Sequence, residues 1–134
     1  MEFSKIVKLQ ITIIFLFIAE LTYSQGQSLA SSSCDYAISF ISELDPIEIN
    51  RMHSWVINVK TKAGIPVEGA TIRLEGGMPE HDHGLPTNPR MTAELGSGNY
   101  RIEGIRFHMG GTWEIKTTIT IKENRDICTI PLEL

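Results

Sequence analysis

Helical periodicity is missing from this sequence. After Ser24 no window repeats its apolar residues every 3.6 positions, which leaves strands as the means of burying a core. A basic excess is missing too. Lysine and arginine number 12 against 16 acidic residues, a net charge of −4, and without a basic patch neither nucleic acid nor an anionic membrane is expected as partner. There is no Gly-x-Ser-x-Gly elbow, no phosphate-binding loop, no dinucleotide fingerprint and no carboxylate cluster of the calcium type. A non-enzymatic role is therefore expected. Cysteine occurs twice, at Cys34 and Cys128, so one disulfide is the most the chain can form within itself. In an oxidising compartment that bond would tie the N-terminal segment to the last strand.

No apolar run is long enough to span a bilayer. The longest, Ile11 to Ala19, falls short of the roughly 20 residues required and is ended by Glu20. Lys5 and Lys8 precede it, and Thr22-Tyr23-Ser24 supplies small residues at the two positions a signal peptidase reads. This is the order of a cleavable secretory signal, residues 1–24, with an uncleaved anchor as the alternative. An exported protein is expected, in the periplasm, outside the cell or on its surface, with no stable membrane insertion after cleavage. What remains, about 110 residues, suits one domain. Residues 25–35 read as a flexible polar leader and 36–134 as the folded part.

Alternation of apolar and polar residues marks the strands. Trp55, Ile57 and Val59 share one parity between Ile49 and Thr61; Ala70, Ile72 and Leu74 alternate with Thr71, Arg73 and Glu75. Tyr100, Ile102 and Gly104 alternate with Arg101, Glu103 and Ile105 up to Phe107. Trp113 to Ile121 forms a long alternating run, and Asp126 to Leu134 closes the chain. Tyr36 to Leu44 is a further candidate, and Thr87 to Leu95 is ambiguous. About seven short strands separated by glycine and proline turns predict an all-β fold, an immunoglobulin-like β-sandwich. Trp55 and Trp113 read as core, since few other aromatics are present to fill it.

The chemistry-bearing residues are histidines and methionines. All four histidines lie between Met52 and Met109, each with a methionine nearby: Met52-His53, Met78 with His81 and His83, and His108-Met109. Thioethers select Cu(I), and imidazoles bind copper and zinc, so a mixed shell suits copper handled outside the reducing cytosol. In Gly76-Gly77-Met78-Pro79-Glu80-His81-Asp82-His83-Gly84-Leu85-Pro86 the prolines and glycines exclude a helix and predict a shaped loop. In extended backbone His81 and His83 would point the same way. Met78, His81, His83, His108 and Met109 are the candidate ligands. His53 is held in reserve, and Glu80 and Asp82 are candidates to orient the imidazoles. Against this, the loop histidines would serve as solvated turn residues, Met78 as core filler, and His53 as a core or surface histidine. A zinc hydrolase built on His81, His83 and His108 has the ligand count but no evident general base, though Glu80 or Asp82 can be nominated.

The order Gly64-x-Pro66-Val67-x-Gly69-Ala70, Gly77-Met78-Pro79-x-His81-x-His83-Gly84, Gly98-x-Tyr100 and Phe107-His108-Met109-x-Gly111-x-Trp113 resembles the YtkA-like/FixH-like family of exported β-sandwich domains. The likeness covers roughly His53 to Ile121. Gly110 stands where that family's Met-Pro-Gly run has proline, and FixH relatives carry a transmembrane helix where this chain has its signal. The resemblance implies an immunoglobulin-like fold, an extracytoplasmic location and an association with copper delivery, cation transport or haem-copper oxidase assembly. The expected function is then an exported copper-binding chaperone or buffer, Cu(I) favoured and zinc the alternative ion, serving copper-handling or oxidase-assembly proteins. The competing expectation is a metal-free accessory module that docks on a membrane or exported complex.

Overall fold

Alternation becomes pleat almost wherever the sequence shows it. A computed structural model describes residues 34–134; the expected signal segment and most of the leader, residues 1–33, lie outside the described residues. The strands are β1 (Tyr36–Ser42), β2 (His53–Thr61), β3 (Thr71–Met78), β4 (His83–Gly84), β5 (Arg90–Gly96), β6 (Asn99–Ile105), β7 (Thr112–Ile121) and β8 (Asn124–Glu133). They pair antiparallel into two four-stranded sheets, ordered β1-β2-β6-β5 and β4-β3-β7-β8, which face each other as a sandwich. The strand count is eight where about seven were expected. The additional one is β4, two residues long and too short to alternate.

The inner faces carry the expected residues. His53, Trp55, Ile57 and Val59 line β2, Ile72 and Leu74 line β3, and Trp113, Ile115 and Ile119 line β7, all buried. Burying one such aliphatic side chain contributes roughly 1.5–3 kcal/mol. Phe40 stacks on Trp55 at 4.0 Å between ring centroids, and Phe107 meets Trp113 edge-on at 5.1 Å. Tyr100 takes its hydroxyl into this core, where it donates to the Val67 carbonyl at 2.7 Å and accepts from Ala70 N–H. Burial raises the Tyr100 pKa above the ordinary phenol value.

One strand departs from the expected parity. Tyr100 and Ile102 face inward, yet so do Ile105 and Phe107, which the simple alternation had placed outward. The register supplies the reason. His53 pairs with Ile105 and Trp55 with Ile102, so three steps on β6 oppose two on β2. That is a β-bulge, and Gly104 sits in it at φ +84, a conformation glycine adopts without a Cβ penalty. The extra residue turns Phe107 into the core and leaves the next residue, His108, at the rim.

Cys34 and Cys128 are bonded, their Cα atoms 5.2 Å apart and 94 positions apart in sequence. The bond joins the segment before edge strand β1 to edge strand β8 of the other sheet. Closing so long a loop contributes a few kcal/mol in the chain-entropy account.

Candidate metal centre

β3 and β7 are neighbours and antiparallel, with Gly77 opposite Glu114. Whatever follows the end of β3 must therefore lie beside whatever precedes the start of β7. The first is the histidine-bearing turn; the second is the loop that carries His108 and Met109.

The turn is tighter than the sequence suggests. β3 runs on through Gly76 and Gly77 to Met78, and His81 N–H donates back to the Met78 carbonyl at 3.0 Å. Asp82 takes φ +51, and His83 then pairs opposite Met78. Directly opposed residues project from the same side of a sheet, so His83 follows Met78 toward the inner edge. His81 stays on the exposed hairpin loop, its ring 6.4 Å from that of His83 and nearly parallel to it. A turn, rather than extended backbone, brings these two rings alongside each other.

His83 and His108 meet across the gap, with ring centroids 5.7 Å apart and planes almost perpendicular. Two imidazoles sharing an ion at about 2.0 Å per nitrogen place their centroids roughly 5–6.3 Å apart, from tetrahedral to linear coordination. The His83–His108 spacing falls inside that range, and the His81–His83 spacing just beyond it. His108 is half-buried, and its Nδ1 is fully enclosed with no hydrogen-bond partner. The same holds for five other buried side-chain atoms among the described residues, His53 Nε2 and Trp55 Nε1 among them, so it is the His83 ring nearby that singles this one out.

Trp113 supports this side of the site. Its indole meets the His108 ring edge-on at 5.6 Å, and its Nε1–H donates to the Met109 carbonyl at 3.2 Å. Trp113 is the expected buried core residue and also the wall against which the His108–Met109 loop packs.

Met78 is 2% exposed and belongs to the core cluster, yet it lines with His83 an open groove of about 470 Å³ that also includes Asp82, Glu75, Glu114 and Lys116. Its terminal methyl lies close to Gly111, where an added Cβ would approach Met78 Cε to 3.0 Å. Met109 is half-buried and packs against the core. Glu80 and Asp82 are exposed, and among the described residues neither hydrogen-bonds an imidazole.

His53 belongs elsewhere. It is buried on β2, donates from Nδ1 to the Arg51 carbonyl at 3.0 Å, and its ring sits 5.9 Å from that of Phe107. Among the described residues His81, His83 and His108 do not form a trio with ligand atoms within 4.8 Å of one another; the group that does is Cys34, Asp126 and Cys128. Among the described residues the three histidines therefore do not form a preassembled ligand trio, and His83 and His108 are the pair whose rings meet.

No curated protein is similar enough to count as a match. Among solved structures, a DUF4426 family protein from Pseudomonas aeruginosa PAO1 superposes with a TM-score of 0.52 over 81% of this chain and 96% of its own, at 15% identity. That likeness is one of fold. The family model described as YtkA-like matches residues 31–118, well over half of the sequence, and the chain belongs to the YtkA-like family.

Proposed function

We propose that this YtkA-like sandwich is an exported copper-handling protein, a chaperone or buffer that carries Cu(I) between His83 and His108. The spacing of these two rings, together with the enclosed and unpartnered Nδ1 of His108, is the observation that carries the reading. Met78, which lines a groove with His83, would supply the soft thioether that favours Cu(I), with Met109 and His81 as further candidate ligands. Zinc is the alternative ion.

The arrangement suits cargo better than a resident cofactor. His83 lies on a two-residue strand at the edge of its sheet, exposed, whereas His108 is backed by Trp113. An ion held by one braced imidazole and one on a light hairpin keeps open positions through which a partner's ligand can enter. The Cys34–Cys128 bond is compatible with an oxidising, extracytoplasmic compartment. The receiving partner would be an exported or membrane copper-handling protein, with oxidase assembly the process the family resemblance suggests.

Anaerobic titration of the protein with Cu(I) against a chelating competitor, with Zn(II) alongside, tests the assignment. One Cu(I) per chain is expected, weakened about 10–100-fold or more by His83→Ala or His108→Ala. Unchanged affinity in the double variant would remove both ligands from the account. Native complexes recovered equally from chelated and copper-loaded extracts would favour the docking-module reading instead.

A further inference from the structure

The molecule holds a second group of metal-ligating side chains, on the edge where the two sheets are joined and sharing no residue with the histidine loops. We infer that Cys34, Cys128 and Asp126 form a redox-gated site, which takes one soft or borderline ion such as Zn(II), Cd(II) or Cu(I) once the disulfide is reduced.

The geometry is already close to what an ion requires. One ligand atom from each of the three residues lies within 4.8 Å of the others. Two thiolates bound at about 2.3 Å in a tetrahedral arrangement have their sulfurs roughly 3.8 Å apart. Releasing the S–S bond lets the sulfurs move to that distance by side-chain rotation, because the Cα atoms are held 5.2 Å apart by the backbone. Asp126 and Cys128 are two apart on β8 and so share a face.

The carboxylate is fixed before any ion arrives. Asp126 Oδ2 accepts from Asp35 N–H at 2.7 Å, and Oδ1 accepts from Ile127 N–H at 2.8 Å. Each oxygen keeps a lone pair for a further interaction. The Asp35 bond has a second consequence. It ties the residue next to Cys34 to β8 independently of the disulfide, a contact that helps to keep Cys34 near the site on reduction.

Electrostatics makes the reduced trio sensitive to cations. Two thiolates and a carboxylate brought together, with both sulfurs buried, need a cation between them. A bound ion supplies that positive charge as the thiol protons leave. The gating step is thiol–disulfide exchange with a dithiol. Two electrons and two protons pass to Cys34 and Cys128, the dithiol becomes a disulfide, and metal binding then displaces the two thiol protons to solvent.

The test uses the whole protein, reduced with dithiothreitol, freed of reductant anaerobically and titrated with Cd(II). Thiolate-to-cadmium charge transfer in the ultraviolet reports only sulfur-bound metal, so cadmium at the histidine loops does not contribute. The expected result is one equivalent bound with that band in the reduced protein, no band in the oxidised protein, and affinity at least about tenfold weaker in Asp126→Asn. A reduced protein that keeps its near-ultraviolet circular dichroism and shows no charge-transfer band would overturn the inference. So would Asp126→Asn binding as tightly as the parent, or a reduced protein that loses its fold and does not regain it with cadmium.

Discussion

His53 packs against Phe107 and His108 follows Phe107 in the chain; each has one enclosed nitrogen without a partner, yet their surroundings differ. His53 stands at the start of β2, walled by Phe107 and Trp55, with its Nδ1 already committed to a backbone carbonyl. His108 stands in the loop beyond the bulge, where its ring meets both the Trp113 indole and the His83 imidazole edge-on. An unpartnered nitrogen in an aromatic core is a local cost that packing outweighs. His108 differs in having a second imidazole at a ring spacing an ion could bridge, and the proposed copper site rests on that difference. The neighbour decides which reading applies.

This contrast can be broken most forcefully at Trp113. Trp113→Ala should lower unfolding free energy by about 3–5 kcal/mol in chemical denaturation, since a fully buried indole leaves a large cavity. A loss below about 1 kcal/mol would mean that the loop bearing His108 does not depend on that wall.

The two regions should also separate cleanly by readout. His53→Ala is expected to cost about 2–3 kcal/mol of stability through lost packing and to leave Cu(I) affinity within about twofold. His83→Ala, at an exposed position on the hairpin, should shift stability by less than about 0.5 kcal/mol and weaken Cu(I) binding at least about tenfold. The reverse pattern would exchange the roles assigned to the two histidines.

A backbone change sharpens the comparison further. Gly111 has φ +117, and a Cβ there would crowd Met78 Cε at 3.0 Å. Gly111→Ala should cost about 1–3 kcal/mol and disturb Met78 without touching an imidazole. Thermal unfolding and the Cu(I) titration on the same variant measure both effects.

The smallest effect concerns the entrance to β2. Glu43 accepts from Ser54 N–H at 3.0 Å and Ser54 Oγ–H at 2.8 Å, and these hydrogen bonds hold its carboxyl below the usual glutamate value. A carboxyl depressed in the folded state stabilises the protein above its unfolded pKa and loses that contribution as pH falls through the folded one. Thermal midpoints measured from near pH 4.5 downward should therefore fall less steeply in Glu43→Gln than in the parent. Equal slopes would show that the carboxyl contributes nothing to folding there.

The sandwich was legible because its strands are amphipathic. Trp55, Ile57 and Val59, or Trp113 and Ile115, leave no alternative to a half-buried pleat. The bulge was not legible. Gly104 looked like one more position in an alternating run, and only pairing with β2 shows that β6 carries an extra residue. β4 was hidden for a related reason, since two residues have no periodicity to read. The candidate ligands could be named from residue type and clustering alone, but the meeting of His83 with His108 depends on β3 lying beside β7. Sheet order of that kind is a long-range property, which no local window contains. Asp126 was missed as a neighbour of the disulfide, although its place two residues before Cys128 was a signal that could have been followed.

The central claim is that one ion is shared by His83 and His108 and not by His53. Long-range proton–nitrogen correlation NMR of the labelled protein, with all four imidazoles assigned, follows each ring as one equivalent of Cu(I) is added anaerobically. Nitrogen shifts at His83 and His108 that move together and stop at one equivalent, with His53 unmoved, are the predicted result. Shifts confined to His81, shifts at His53, or no change at His108 would contradict it.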